Sequence, residues 1–193
     1  MDTIILKDSV TSRMTDKEFF RFCMENRDLR IERDSHLNIY IMAPVETFGS
    51  YQSGEVFGQL LIWNKKNRKG KTFDSSAGFT LPDRSVMSPD ASWVSNEKWK
   101  SIPEGQRDKF APLCPDFVIE VRSKSDSLEE LKNKMERWIS NGVKLAWLID
   151  PSKTTCYVFS LHHSPKTIKG FEKPLIAVEP VKGFELALSE LLN

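Results

Sequence analysis

The sequence predicts an α/β protein built on a mixed β-sheet flanked by helices. Three stretches carry that expectation. DFVIEVR at 116–122, SLEELKNKMERWISNG at 127–142 and KLAWLID at 144–150 run strand, helix, strand within one short block, the order of a βαβ crossover with parallel pairing. KLAWLID is apolar at nearly every position, as a strand covered on both faces must be. The stretch from near Thr47 to Asn67 places Val56, Phe57, Leu60, Leu61 and Trp63 at helical spacing, which makes a second covering helix.

Taken in order, TDKEFFRFCMEN at 15–26 is a helix. Thr15 and Glu18 form a capping box, and Phe19, Phe22 and Cys23 share one face. LRIER and LNIYIM alternate on either side of Asp34-Ser35-His36 and predict a hairpin. Pro44 precedes the 47–67 helix, and Gly70 with its neighbouring lysines is expected to end it. KTFDSSAGFTL and the segment around Val86 then read as strands joined by Pro82-Asp83-Arg84. Ala91 to Val94 reads as another strand. Residues 95–115, with Pro103, Gly105, Pro112 and Pro115, read as a loop carrying a short helix. Ser127 and Glu130 box the start of the crossover helix and Gly142 ends it. TTCYVFS is a further strand, and an amphipathic helix near Leu186–Leu192 closes the chain. A single domain over 1–193 is expected, with helix and hairpin in 1–45, a core in 46–160 and a C-terminal extension in 161–193.

Composition excludes several classes. Lys and Arg number 28 against 27 Asp and Glu, a net charge of +1. A strong, unaided duplex binder usually carries a basic excess, so any nucleic-acid surface must be local. No apolar run reaches the length of a membrane span, and the first fourteen residues lack the cleavage pattern of a secretory signal; a cytoplasmic protein is expected. Cys23, Cys114 and Cys156 are too scattered for a disulfide framework or a zinc site and are expected to be reduced and buried. His36, His162 and His163 form no metal-ligand pattern.

The strand at 116–122 carries the sharpest anomaly. Phe117, Ile119 and Val121 fall on one face, and Asp116, Val118, Glu120 and Arg122 on the other. An ionised Glu120 in a central strand is costly unless it is paired or binds a cation. Asp90 follows Ser88-Pro89 and opens another short apolar strand. Two carboxylates from adjacent strands can hold Mg²⁺ together with waters and a substrate phosphate. A nearby lysine would orient or deprotonate the attacking water. Arg122 stays protonated and could only stabilise a phosphate. Lys134, beside the buried stripe Leu128, Leu131, Met135, Trp138 and Ile139, can snorkel towards the strand ends and is preferred. A purely structural ion pair of Glu120 with Arg122 or Lys134 weighs about equally on these residues alone. Asp83, Asp116 and Asp150 read as turn and strand-end residues.

The runs GFTLPDRSVMSPDASWVS and FAPLCPDFVIEVRSKSDSLEELKNKMERWISNGVKLAWLIDP, with RMTDKEFF and LRIERDSHLNIYIMAP before them, resemble the Uma-two family of the PD-(D/E)xK nuclease superfamily. The resemblance spans most of the chain. It implies a restriction-endonuclease-like fold with a Mg²⁺- or Mn²⁺-dependent phosphodiesterase site and DNA as substrate, and nucleases of this fold often act as homodimers. It assigns Asp90 through the SPD motif and Glu120 through IEVRS. The lysine expected two residues after the glutamate is replaced by Arg122, and the basic position migrates to Lys134 on the helix. Glu46, in PVETFG, matches a family carboxylate and is a further candidate metal or phosphate-side ligand. Lys65, Lys66, Arg68, Lys69 and Lys71 are candidate backbone contacts, or a solvated helix end. The competing function is a non-catalytic nucleic-acid-binding or interaction module that keeps the fold.

Overall fold

The computed structural model describes residues 3–7 and 14–192. Part of the leader reading therefore rests on residues 8–13, outside the described residues. The chain begins with β1 (Ile4–Leu6) and helix α1 (Asp16–Glu25). Thr15 caps α1 with the full reciprocal box: its hydroxyl accepts from the Glu18 N–H and the Glu18 carboxylate accepts from the Thr15 N–H. β2 (Arg30–Arg33) and β3 (Ile39–Met42) form the expected hairpin, with Arg33 opposite Ile39. The Asp34 carboxylate fixes its turn by accepting from the His36 and Asn38 N–H groups.

Helix α2 (Thr47–Asn67) has the predicted bounds and buries Val56 and Leu60. Its end differs from expectation. Arg68, at φ 54°, takes the left-handed cap, and Gly70 instead opens β4 (Gly70–Asp74). Gly70 is required there by crowding: a Cβ would stand 2.3 Å from the Val94 carbonyl oxygen and 2.4 Å from the Trp93 ring. The Asn64 side chain ties the junction together, donating to the Gly70 carbonyl and accepting from the Trp93 indole. Gly70→Ala is expected to destabilise the fold by about 3 kcal/mol, since one collision is with backbone. Urea denaturation checks this, and parental stability would remove the packing account.

KTFDSSAGFTL is not one strand. The Asp74 carboxylate accepts from the Ser76 N–H and hydroxyl and turns the chain, so β4 and β5 (Phe79–Thr80) enter different sheets. β5 pairs with β6 (Val86–Met87), and β7 (Ala91–Ser95) follows. Two short helices occupy the 95–115 segment, α3 (Asn96–Lys100) and α4 (Glu104–Arg107). The crossover is as expected: β8 (Phe117–Val121), α5 (Leu128–Ser140), β9 (Leu145–Asp150), with β8 and β9 parallel. Ser127 caps α5 by accepting from the Glu130 N–H, and Gly142, at φ 107°, turns the chain after it. β10 (Thr155–Ser160) and β11 (His163–Lys169) extend the sheet, and β12 (Leu175–Ile176) pairs with β13 (Glu185–Leu186). The closing α-helix near Leu186–Leu192 is instead β13 followed by a 3₁₀ turn at Leu188–Leu192.

The main sheet runs β11-β10-β9-β8-β7-β4, and a second sheet runs β1-β3-β2-β6-β5. The period-two split of β8 decides the core. Phe117, Ile119 and Val121 pack with Val56 and Leu60 of α2, and Val118 packs with Met135 and Trp138 of α5. Residues of the C-terminal segment, including Phe171, Val181, Phe184 and Leu188, complete the α2-side core. All six β9 residues are buried, as the apolar run implied. Cys23, Cys114 and Cys156 are free and buried, and desolvation pushes each thiol up to about 12. No helix among the described residues is long and apolar enough to cross a membrane.

Candidate active site

β7 and β8 run antiparallel, with Ala91 opposite Ile119 and Ser92 opposite Val118. Continuing that register by one residue sets Asp90 opposite Glu120, and directly opposed side chains share a face. A hydrogen bond fixes the join: the Val121 N–H donates to Asp90 Oδ2 at 2.8 Å. Both carboxylates line one cavity of about 90 Å³ with Arg30, Gly49, Gln52, Arg122 and Lys134. At roughly 30 Å³ per water, it holds a few waters or a hydrated ion.

Glu120 is 3% exposed. Its Oε1 accepts from Lys134 Nζ at 2.9 Å and from the Trp138 indole at 3.2 Å. Its Oε2 takes no hydrogen bond from the described residues and is not among their sealed-off, unsatisfied atoms. Burial pushes the Glu120 carboxyl up to about 7; the Lys134 ammonium opposes this, while Asp90 and Glu32 reinforce it. For Lys134 burial acts downward, but the carboxylates of Glu120 and Glu32 outweigh it and hold the ammonium above its ordinary value.

The β2–β3 hairpin supplies groups that the sequence did not single out. Lys134 Nζ also donates to Glu32 Oε1 at 3.1 Å and to the Ser88 carbonyl at 3.3 Å. Arg30 Nη1 lies 3.7 Å from Asp90 Oδ1, and its Nη2 donates to the Ser88 carbonyl at 3.1 Å. When all three ionise, the carboxylates of Glu32, Asp90 and Glu120 exceed the cations Arg30 and Lys134 by one charge in a mostly buried place, and the raised Glu120 carboxyl carries that cost. That excess, with an unengaged Glu120 oxygen, suits a divalent cation. Among the described residues no three His, Cys, Asp or Glu are arranged to hold a metal. Two carboxylates completed by water and phosphate oxygens are a donor set that a hard divalent cation accepts.

Of the residues singled out from sequence, Asp90, Glu120, Lys134 and Arg122 line the same cavity, and Glu46 does not. Glu46 is exposed at the N-cap of α2 and makes no capping bond; its carboxyl lies beside Gly49, which does line the cavity. The Arg122 guanidinium is anchored, with Nη1 donating to Asp150 Oδ2 at 2.6 Å and Nε to the Asp126 carbonyl at 3.0 Å. Burial acts to raise the Asp150 pKa, but the Ser152 hydroxyl and Arg122 bring it below the ordinary range. Asp116 accepts from the Ser95 N–H and pairs with Lys98 and Lys144, and Asp83 organises the 82–85 turn. A larger cavity of about 780 Å³, between α1 and residues 106–112, is lined by Asp16 and Glu18, whose carboxylates are taken up by Arg33 and by the Thr15 cap.

The family profile described as "Putative restriction endonuclease" matches residues 16–189. Among solved structures, a "putative nuclease belonging to DUF820" from Anabaena variabilis ATCC 29413 superposes with a TM-score of 0.71 at 19% identity, covering 93% of this chain and 97% of that one. At that identity the likeness establishes the restriction-endonuclease-like fold alone. No curated protein matches.

Proposed function

This chain belongs to the Uma2 family, and from that premise we propose that it is a metal-dependent endonuclease hydrolysing phosphodiester bonds in DNA. The observation that carries the reading is the pairing of Asp90 and Glu120 on one cavity wall with Lys134 2.9 Å from Glu120. Asp90 and Glu120 would hold Mg²⁺ or Mn²⁺, and Glu46, outside the cavity lining but beside Gly49, would act on the phosphate side. The bound cation would neutralise charge on phosphate oxygens and acidify a water. Lys134 already donates to three acceptors, which suits an ammonium that orients the water and balances charge. Arg122, gripped by Asp150, keeps a permanent positive charge on the cavity wall where a phosphate would enter. The basic run at 65–71 lies at the far end of α2, roughly 30 Å of helix from Glu46, and is assigned to a solvated helix end. A cytoplasmic homodimer in which each subunit cuts one strand is the form we assign.

The test is nicking of supercoiled plasmid with Mg²⁺ or Mn²⁺, beside thermal melts with and without the ion. We expect EDTA-sensitive nicking and a stabilisation of about 2.7 kcal/mol at an ion concentration of about 100 times Kd. A folded protein showing neither response would overturn the nuclease and favour a nucleic-acid-binding module that keeps the fold.

A further inference from the structure

We infer that Glu32 is a positioning residue of the active site, acting through Lys134 and the Ser88–Asp90 segment; the inference rests on the nuclease reading above. Its Oε1 accepts at once from Lys134 Nζ at 3.1 Å and from the Ser88 N–H at 3.1 Å. Lys134 closes the loop by donating to the Ser88 carbonyl at 3.3 Å. Glu32 therefore joins the helix that carries the lysine to the segment that carries Asp90, two residues beyond Ser88. The Glu32 and Lys134 side chains are 12% and 11% exposed, so little water competes for these bonds.

The geometry explains what the clamp does. Lys134 spreads its three protons over Glu32, Glu120 and the Ser88 carbonyl. Without Glu32 the ammonium would turn fully to Glu120 and take up carboxylate capacity that a cation needs. Ser88 would also lose the acceptor for its N–H, and Asp90 would lose its fixed separation from Lys134. Outer partners of this kind typically change metal affinity or activity by about 10–100-fold.

Glu32→Asp keeps the charge and loses reach; Glu32→Gln keeps reach and an acceptor oxygen and loses the charge. A positioning role predicts that E32D is the more damaging. We expect E32D to lower kcat on plasmid about 10–100-fold with KM within about threefold, and to weaken Mn²⁺ binding, by calorimetry on the intact protein, about 10-fold. E32Q, which also removes one of the three carboxylate charges, should weaken Mn²⁺ binding less than E32D and keep kcat at saturating Mn²⁺ within about fivefold of the parent. E32D at parental kcat and Mn²⁺ affinity, or E32Q more impaired than E32D, would overturn the assignment. A parent that binds Mn²⁺ but cuts nothing removes the nuclease reading alone, because the order of Mn²⁺ affinities still tests the clamp. A parent that neither cuts nor binds Mn²⁺ removes both.

Discussion

Glu120→Gln is expected to abolish divalent-dependent nicking, by about 10³-fold or more, while leaving the protein as stable as the parent. The amide oxygen can still accept from Lys134 and from the Trp138 indole, both of which now meet Oε1. The change also removes the site's unbalanced charge, leaving Glu32 and Asp90 opposite Arg30 and Lys134. Exchanging an ionised, buried carboxylate for a neutral isostere is often neutral or stabilising, so stability should stay within about 1 kcal/mol of the parent or rise. Asp90→Asn should behave alike, because its side-chain oxygen can keep the Val121 N–H. Loss of chemistry without loss of stability marks a carboxylate held for function at some expense to the fold. Plasmid nicking in Mn²⁺ with an EDTA control, beside urea denaturation, reads both quantities. Nicking at the parental rate in E120Q or D90N would sink the assignment of these two residues.

What was legible in the sequence was local. The Thr15 box, the bounds of α2 and the βαβ block are written in spacings of three to seven residues, and the chain adopts them. Glu120 was legible because an ionisable group stands among Phe117, Val118, Ile119 and Val121, and Lys134 because it borders the apolar stripe of α5. Glu32 and Arg30 were not. RIER alternates like any half-buried strand, and nothing near it says that its charged face will meet a lysine 102 residues away. That pairing comes from docking the hairpin sheet against α5, a long-range consequence that periodicity does not encode. Arg122 was half legible: its permanent charge was foreseen, and its anchoring by Asp150 was not, since Asp150 looked like a strand end. The cap of α2 was misplaced because Gly70, the natural candidate for a left-handed residue, is needed for the close approach of Val94 and Trp93.

Lys134→Met should be the most destabilising single change at the site. The methionine replaces the alkyl stem but leaves Glu120, 3% exposed, facing Asp90 and Glu32 without its nearest cation. Removing one partner of a buried pair typically costs about 3–5 kcal/mol. That loss must depend on pH. The Glu120 carboxyl is raised to about 7 from an ordinary 4.5, so its contribution to stability is full below the ordinary value and is lost as pH rises through the folded one. Without Lys134 the folded value climbs further, and more stability is lost on the alkaline side. In EDTA the gap between K134M and the parent should be smaller at about pH 5, where Glu120 is protonated in both, and should widen by up to about 1.4 kcal/mol near pH 8, one unit above the parental folded value. Urea denaturation at the two pH values measures the gap directly. An equal gap at both would mean that Lys134 contributes packing alone. A K134M protein as stable as the parent at pH 8 would mean that Glu120 is not held as a buried carboxylate, and the charge excess that suits a divalent cation would vanish with it.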